Sequence, residues 1–313
     1  QHRDVDDARE GHADVSDRRR AVGRYVARRE DVLDSRQRAE AFGDIGGHHV
    51  DLGLGVAFWN HAQDRLIEAA AHDLDLIARD QCEYELADTI LCGSEFCAQT
   101  VREAGGASIA PKVRVLPYCF DEALFADQPA PRPLDPRRPL RFLFIGQINP
   151  RKGAHHLLEA FARIPASAAT ITLVGEMRID RRMFARHADR VTWIPTVPRS
   201  EIPAIMAAHD VLVFPSYFEG SALSLIEALA SGMAVIQTRA AGNGATAQTG
   251  LVLDAPSTEG LRDAIASAID NRQLVDEWRA AAQGEAQRYS FAAYRAGIAA
   301  LLTDLEGREP SSA

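Results

Sequence analysis

Lysine is nearly absent from this sequence of 313 residues: Lys112 and Lys152 are the only two, and acidic residues outnumber basic ones by 44 to 35. The formal net charge of -9 argues against a nucleic-acid-binding protein, because such proteins normally present a basic face. No apolar run reaches the roughly 18 residues of a membrane-spanning helix. The polar first residues also exclude the apolar core of a secretory signal.

Cysteine is scarce as well, with four residues whose spacings match neither a zinc ribbon nor a small disulfide framework. They are Cys82, Cys92, Cys97 and Cys119. We therefore expect reduced thiols in a cytoplasmic protein, with the inner face of the membrane as an alternative location. The length and a hydrophobic content of 46% allow about two domains that fold without metals or disulfides.

The first 50 residues differ in composition, because 21 of them are charged, whereas only 25% of the whole chain is charged. They contain no apolar strand and no clean helical stripe, so they bury too little surface to offset their ordering entropy. We interpret 1–55 as a poorly structured or aberrant segment. Because the sequence begins with Gln1 rather than Met, we also expect the true start of the protein to be missing.

Regular structure is predicted after this segment. Apolar residues recur at intervals of three and four from Asp64 to Leu86, which predicts an amphipathic helix. A strand at Thr89–Cys92, a helix from Ser94 to about Glu103 and a strand at Val113–Leu116 follow. This order predicts parallel pairing of the two strands, and we assign 56–127 to an N-terminal domain.

A proline-rich linker precedes a more regular second half. The stretch 128–139, QPAPRPLDPRRP, contains five prolines, which is typical of an extended linker. Beyond it, apolar strands alternate with helices, as a parallel sheet covered on both faces requires. The predicted strands are 141–145, 170–174, 190–194, 211–214, 233–236 and 250–253. The predicted helices are 154–163, 179–187, 200–208, 222–231, 257–270, 272–288 and 291–305. We expect an α/β fold with a doubly wound parallel sheet in 140–290, which binds ligands at the carboxyl ends of its strands.

The most informative stretch is 215–232, PSYFEGSALSLIEALASG. It predicts a strand end, a loop and a helix start whose N–H groups form an anion site that Gly220 leaves accessible. Glu219 lies in the loop, and Glu227 lies in an apolar helix, where a buried carboxylate needs a polar partner. Paired hydroxyls of a sugar or a ribose are suitable partners. Exposure to solvent or a bond to a nearby side chain would also satisfy Glu227.

A second candidate element, FIGQINPRKGAHHLLEAF at 144–161, also joins a strand to a helix. Gly146 permits a tight turn, and Lys152 stands with Gly153 just before the helix. In a chain that otherwise uses arginine, this lysine offers a compact charge suited to phosphate oxygens. A solvated loop lysine is the alternative interpretation.

Together, FIGQINPRKG and FEGSALSLIEALASG resemble the donor-binding half of the family 4 glycosyltransferases, which have the GT-B fold. The signature of that family is a Glu, seven residues and a second Glu, which Glu219 and Glu227 match. VLVFPS, GMAVI, EYELADTILCGSEF, VRVLPYCFD and YSFAAYRAGIAALL extend the resemblance over roughly 60–305. It implies two Rossmann-like domains: a partial acceptor domain in 56–127 and a complete donor-binding domain in 140–290. The helix in 291–306 would cross back to the first.

The resemblance implies a retaining glycosyltransferase that moves a sugar from a nucleotide diphosphate sugar to a saccharide, a lipid-linked saccharide or a small molecule. Lys152 and Glu219 would be catalytic: Lys152 would bind the diphosphate and stabilise the leaving group, and Glu219 would contact the donor sugar. Glu227 would hold the ribose. The other donor-binding residues would be Gly146, Gln147, Thr196, Gly220, Ser221, Ala222 and Leu223. No resident cofactor is implied, and a lipid-linked acceptor would imply peripheral membrane contact.

The sequence departs from the family pattern at several positions. Gln147 stands where Arg is common, and Ser221 and Ala222 replace the usual Phe and Gly. The first 60 residues contain no counterpart of the opening strand, its glycine-rich loop or the first-domain histidine. Two alternatives therefore stay open: a nucleotide-sugar-binding fragment without turnover, and a GT-B sugar-nucleotide epimerase with its own acid and base residues.

Two sequence patterns that can form metal sites are weak evidence for one here. Asp73 and Asp75 form a D-x-D pair within a helical pattern, where residues two apart do not face each other. The pairs His48–His49 and His155–His156 lack the further ligands of a metal site. We therefore expect no resident metal.

Overall fold

The computed structural model of the protein describes residues 81–306. Residue contacts divide the chain into two units, Gln1–Ala87 and Asp88–Ala313, and the fold described below lies in the second. In the first unit, residues 81–86 are helical. The rest of the predicted helix lies outside the described residues, as do the segment 1–55, the D-x-D pair and the first histidine pair.

A small parallel sheet opens the second unit. Its strands β1 (Ile90–Cys92) and β2 (Val113–Val115) pair in parallel, as the order of strand, helix and strand predicts. Helix α1 (Glu95–Ile109) joins them, and Ser94 caps its first turn. The helix extends beyond its predicted end, across a kink at Gly106, where a φ of 66° interrupts the helical backbone.

A six-stranded parallel sheet forms the main body of the fold. The strands are β3 (Leu140–Ile145), β4 (Ala169–Val174), β5 (Val191–Ile194), β6 (Val211–Phe214), β7 (Ala234–Thr238) and β8 (Gly250–Leu253). Their order is β5-β4-β3-β6-β7-β8, and all neighbouring pairs are parallel. All six predicted strands are confirmed to within two residues at their ends, and the predicted α/β fold is confirmed with them.

Seven helices accompany this sheet in the described part of the chain. They are α2 (Ala154–Ala162), α3 (Arg181–Ala185), α4 (Ile202–Ala207), α5 (Leu223–Ala230), α6 (Thr258–Asp270), α7 (Arg272–Ala286) and α8 (Phe291–Glu306). All seven were predicted, and several are shorter than predicted. Helix α3 starts late because Asp180 accepts the N–H groups of Arg182 and Met183, which fixes its first turn. None of the helices within 81–306 combines the length and the apolar character that crossing a bilayer requires.

The core surrounds the centre of the six-stranded sheet. Strands β6 and β7 are buried at every position, whereas the edge strand β5 is partly or fully exposed at every position. Chain order reverses between β3 and β6, since β4 and β5 follow on one side and β7 and β8 on the other. In such a sheet, ligands bind at the carboxyl ends of the strands beside this reversal. The loops that carry Lys152 and Glu219 both begin there.

Candidate functional site

Lys152 is held in a partly buried position by the loop between β3 and α2. It ends a 3-10 turn (Pro150–Lys152) that Asn149 caps by accepting the Lys152 N–H at 2.9 Å. The Nζ atom lies 2.6 Å from Oε1 of Glu219 and 4.7 Å from the centre of the Phe214 ring. Burial lowers the pKa of Lys152, although the bond to Glu219 acts in the opposite direction. The side chain is 13% exposed, so Lys152 is not a solvated loop lysine.

The loops from β3 and β6 come into direct contact at Gly153. This residue has a φ of 69°, and a Cβ placed on it would lie 2.1 Å from the carbonyl oxygen of Pro215. Only glycine fits such a close approach between two backbones. Gly153 thereby allows Lys152 to reach the loop that carries Glu219.

The substitution Gly153→Ala is expected to lower the free energy of unfolding by about 2 kcal/mol, because the Cβ would clash and the backbone would be strained. Urea denaturation measures this difference. Gly284→Ala is the matched control, since Gly284 is exposed in α7 and a Cβ there meets no atom within 4 Å. That control should leave stability unchanged or raise it slightly. Equal losses in the two variants would contradict the proposed role of the close contact.

Glu219 receives three hydrogen-bond donors on one oxygen. Its Oε1 accepts from the Ser216 hydroxyl at 2.6 Å, from Lys152 Nζ at 2.6 Å and from Arg151 Nη1 at 3.0 Å. No donor among the described residues bonds to Oε2. The side chain is 12% exposed, so this carboxylate is fixed through one oxygen and open at the other.

The loop after Glu219 leads into α5 with its backbone accessible. Ala222 precedes the helix in an extended conformation, and no side chain caps the first turn. A Cβ on Gly220 would meet no atom within 4 Å; Ser221 is half-buried and Leu223 is 39% exposed. The Ala222 N–H donates to the carbonyl oxygen of Ala241 at 3.4 Å, and the Leu225 N–H donates to that of Ala222 at 3.1 Å. An anion could therefore reach the N–H groups of Leu223 and Ser224, and the anion site stays a prediction. The helix itself starts at Leu223, one residue later than predicted.

Glu227 is buried within α5, with 5% of its surface exposed. Its Oε1 accepts a hydrogen bond of 2.6 Å from Nη2 of Arg199, which lies in a 3-10 turn (Arg199–Glu201) before α4. Of the partners left open by the sequence, a nearby side chain is the one present. Among the described residues no donor bonds to Oε2, so Glu227 and Glu219 are alike in having one held and one open oxygen.

The remaining predicted residues follow β3 and β5, which are separated by β4 in the sheet. Gly146 follows β3 with a φ of 144°. Gln147 is exposed, and its Oε1 accepts from Nδ2 of Asn149 at 3.3 Å. Thr196 follows the edge strand β5, at a cleft of about 580 Å³ that Phe184 and Trp193 also line. The structure thus brings Lys152 and Glu219 into contact, whereas Thr196 lines a cleft that neither of them lines.

The turn between β1 and α1 contacts the same loop. The Ser94 hydroxyl donates to the carbonyl oxygen of Gly220 at 2.6 Å, and the Asn243 side-chain amide donates to the carbonyl oxygen of Gly93 at 2.6 Å. Ser94 therefore acts as a helix cap, as predicted, and also bonds to the loop. These bonds place the small sheet beside the start of α5.

The described part of the chain contains no group of three His, Cys, Asp or Glu side chains that could hold a metal ion, and its four cysteines are free. The rings of His155 and His156 lie 4.1 Å apart. Burial, together with the neighbouring His156, lowers the pKa of His155 to about 4. His155 is therefore neutral near pH 7, so it adds no positive charge beside Lys152.

The order of the strands and the two loops at the reversal point define a GT-B-like α/β fold. Sucrose-phosphate synthase (tll1590) from Thermosynechococcus elongatus shares it with a TM-score of 0.62 and 22% identity, over 83% of this chain and 67% of that one. Anabaena Alr3699/HepE in complex with UDP has a TM-score of 0.59 and 22% identity, over 77% of this chain and 68% of that one.

Sequence comparison finds a matching family. Residues 130–285, just under half of the chain, match the family described as "Glycosyl transferases group 1". The D-inositol 3-phosphate glycosyltransferase of Rhodococcus opacus (strain B4) is 30% identical over 175 residues, which are 50% of this chain and 39% of that protein. The lipopolysaccharide glucosyltransferase WaaG of Escherichia coli (strain K12) is 30% identical over 145 residues, 44% and 39% of the two chains. The match thus spans less than half the length of these relatives.

Proposed function

We propose that the protein is a retaining glycosyltransferase that moves a sugar from a nucleotide diphosphate sugar to an acceptor. The observation that carries the proposal is the 2.6 Å contact between Lys152 Nζ and Glu219 Oε1, which lies where a doubly wound sheet binds its ligands. The family of residues 130–285 supports it. So do the relatives named as glycosyltransferases.

Lys152 and the start of α5 would act on the leaving group. As the glycosidic bond breaks, negative charge grows on the diphosphate, and a fixed ammonium and oriented N–H groups lower the barrier by stabilising that charge. Lys152 would turn from Glu219 toward the phosphate oxygens. Because it is largely buried, its charge is weakly screened by water. In this proposal the nucleotide sugar is a substrate, and no resident cofactor is assigned.

The two glutamates would bind the hydroxyl groups of the donor. Each has one oxygen held by the protein, so the open Oε2 of Glu219 would accept from the donor sugar and that of Glu227 from the ribose. Hydrogen bonds to an ionised carboxylate are short and strong. The acceptor is proposed to be a saccharide, a lipid-linked saccharide or a small molecule. The cytoplasmic location and the peripheral membrane contact stay predictions.

A thermal-shift panel of UDP-glucose, UDP-galactose, GDP-mannose and ADP-glucose tests the proposal. At about a hundredfold excess over Kd, at least one of them is expected to raise the melting temperature by about 5 °C. Glu227→Ala should remove most of this shift. Glu277→Ala is the matched control, because Glu277 is exposed on α7, and it should keep the shift. If none of the four donors stabilises the wild-type protein, the proposal fails.

Turnover separates an enzyme from a binding fragment. A donor that stabilises the protein is incubated with monosaccharide, lipid-linked and oligosaccharide acceptors, and release of the nucleoside diphosphate is measured with and without each acceptor. Acceptor-dependent release with an α-configured product from an α-configured donor is the expected result. Stabilisation without any product would favour a binding fragment, and conversion of the donor alone would favour an epimerase.

A further inference from the structure

Arg151 connects the two loops of the site through both its backbone and its side chain. Its Nη1 donates to the carbonyl oxygen of Phe218 and to Oε1 of Glu219, both at 3.0 Å. The guanidinium carbon lies 5.1 Å from the centre of the Phe218 ring. The carbonyl oxygen of Arg151 accepts the N–H of Tyr217 at 2.8 Å. One residue of the β3 loop thus fixes three successive residues of the β6 loop.

The charges around Glu219 explain why a second cation is needed. Its Oε1 is bonded to both Arg151 and Lys152, in addition to the Ser216 hydroxyl. If Lys152 turns to the diphosphate, its bond to Glu219 weakens or breaks. Without Arg151, a carboxylate that is 12% exposed would then keep only the neutral Ser216 hydroxyl as a donor, which compensates poorly for lost hydration. Arg151 supplies a charged donor that does not have to leave.

We propose that Arg151 is a positioning residue, which keeps Oε1 of Glu219 occupied while Lys152 engages the diphosphate, so that Oε2 stays available to a hydroxyl of the donor sugar. The inference rests on the proposed function, because it assumes the same donor in the same site. Lys152 alone could not bind Glu219 and the diphosphate at the same time, so Arg151 would hold Glu219 instead. A phosphate-binding role for Arg151 is the rival explanation, and the two make different predictions.

Calorimetric titration with a nucleotide sugar and with its own nucleoside diphosphate separates the two roles. The pair used is UDP-glucose and UDP, or GDP-mannose and GDP, according to the donor that stabilises the wild-type protein. Arg151→Gln is expected to weaken the affinity for the nucleotide sugar about tenfold. The affinity for the nucleoside diphosphate should change by less than about twofold, because that ligand lacks the sugar that Glu219 would contact. Arg151→Lys should recover part of the lost affinity, since it keeps the charge without the planar fork.

A double-mutant comparison assigns the effect to Glu219. In a Glu219→Gln background, Arg151→Gln should cause no further loss of affinity for the nucleotide sugar. Arg262→Gln is the matched control, because Arg262 forms an exposed ion pair with Asp263, and it should leave both affinities unchanged. Equal losses for both ligands, or none for either, would overturn the inference while the proposed function stands. A wild-type protein that binds no nucleotide sugar would overturn both, and the thermal-shift panel detects that case separately.

Discussion

Replacing Lys152 by alanine is expected to lower kcat/KM for the nucleotide sugar by about a hundredfold to a thousandfold, the usual cost of removing one fixed group that stabilises charge in the transition state. Lys152 is the ammonium that contacts Glu219, and 13% of its side chain is exposed. Water therefore replaces it poorly. Steady-state release of the nucleoside diphosphate, with the donor found in the thermal-shift panel, measures the loss.

The matched control for this variant is the other lysine. Lys112 ends a 3-10 turn (Ala110–Lys112) that precedes β2 and belongs to neither of the two loops, so Lys112→Ala should leave turnover unchanged. A Lys152→Ala protein that keeps turnover within about threefold of the wild type would contradict the assigned role. Urea denaturation of both variants shows whether the loss reflects the site rather than the fold.

The pH dependence supplies an independent check on Lys152. Burial lowers its pKa, with a smaller opposing effect from Glu219, so the ammonium loses its proton at a lower pH than an exposed lysine does. Affinity for the diphosphate should therefore decrease as the pH rises through that lowered pKa. Lys152→Arg keeps its charge to much higher pH, so its affinity should not show this decrease. An identical alkaline decrease in the two proteins would assign it to another group.

Most of the fold was predictable because the sheet is parallel and buried. Strands β6 and β7 are buried at every position. In the sequence, β6 is an uninterrupted apolar run, and β7 begins with one that ends at the buried polar residues Gln237 and Thr238, as a parallel sheet covered on both faces favours. The errors concern helix ends, where a single cap decides the first residue. Because Asp180 caps α3, this helix begins at Arg181, later than the apolar pattern predicts. Helix α1 continues past its predicted end near Glu103, with the Gly106 kink inside it.

The candidate site was predictable where it depends on topology. Lys152 and Glu219 follow strands that become neighbours, so adjacent strand ends bring them together. The arginines that hold the glutamates were missed. Arg199 lies 28 positions before Glu227, a separation that no helical or strand period reveals. Arg151 stands beside Lys152, but arginine is so common in this chain that its position gave no signal.

Sequence reasoning also missed Asp210, which is completely buried immediately before β6. Its carboxylate accepts two hydrogen bonds from Arg138, at 2.6 and 2.8 Å, and the backbone N–H of Arg141 at 2.9 Å. Its own N–H donates to the carbonyl oxygen of Arg141 at 2.8 Å. One buried carboxylate therefore joins the segment before β3 to the two central strands.

Asp210→Ala is expected to lower the free energy of unfolding by about 4 kcal/mol, because removing one member of a buried ion pair leaves the other uncompensated. Arg138 and Arg141 are 29% and 41% exposed, so water recovers part of their bonding and the loss stays well below the full desolvation cost. Asp254→Ala is the control. Its ion pair with Arg239 is largely exposed and should contribute less than about 1 kcal/mol. Similar losses in the two variants by urea denaturation would contradict the buried-pair account.

The stabilisation by Asp210 should also depend on pH in a defined direction. Burial by itself raises the pKa of Asp210, but the hydrogen bonds from Arg138 and Arg141 outweigh it and bring the pKa below its usual value. A carboxyl whose pKa is lower in the folded protein stabilises the fold above its unfolded pKa, about 4. That contribution is lost as the pH falls from about 4 through the lowered folded pKa. The stability difference between the wild type and Asp210→Asn, which cannot ionise, should therefore be constant near neutrality and shrink in acid. A difference that stays constant down to the acid unfolding of the wild type would show that Asp210 does not act through its charge.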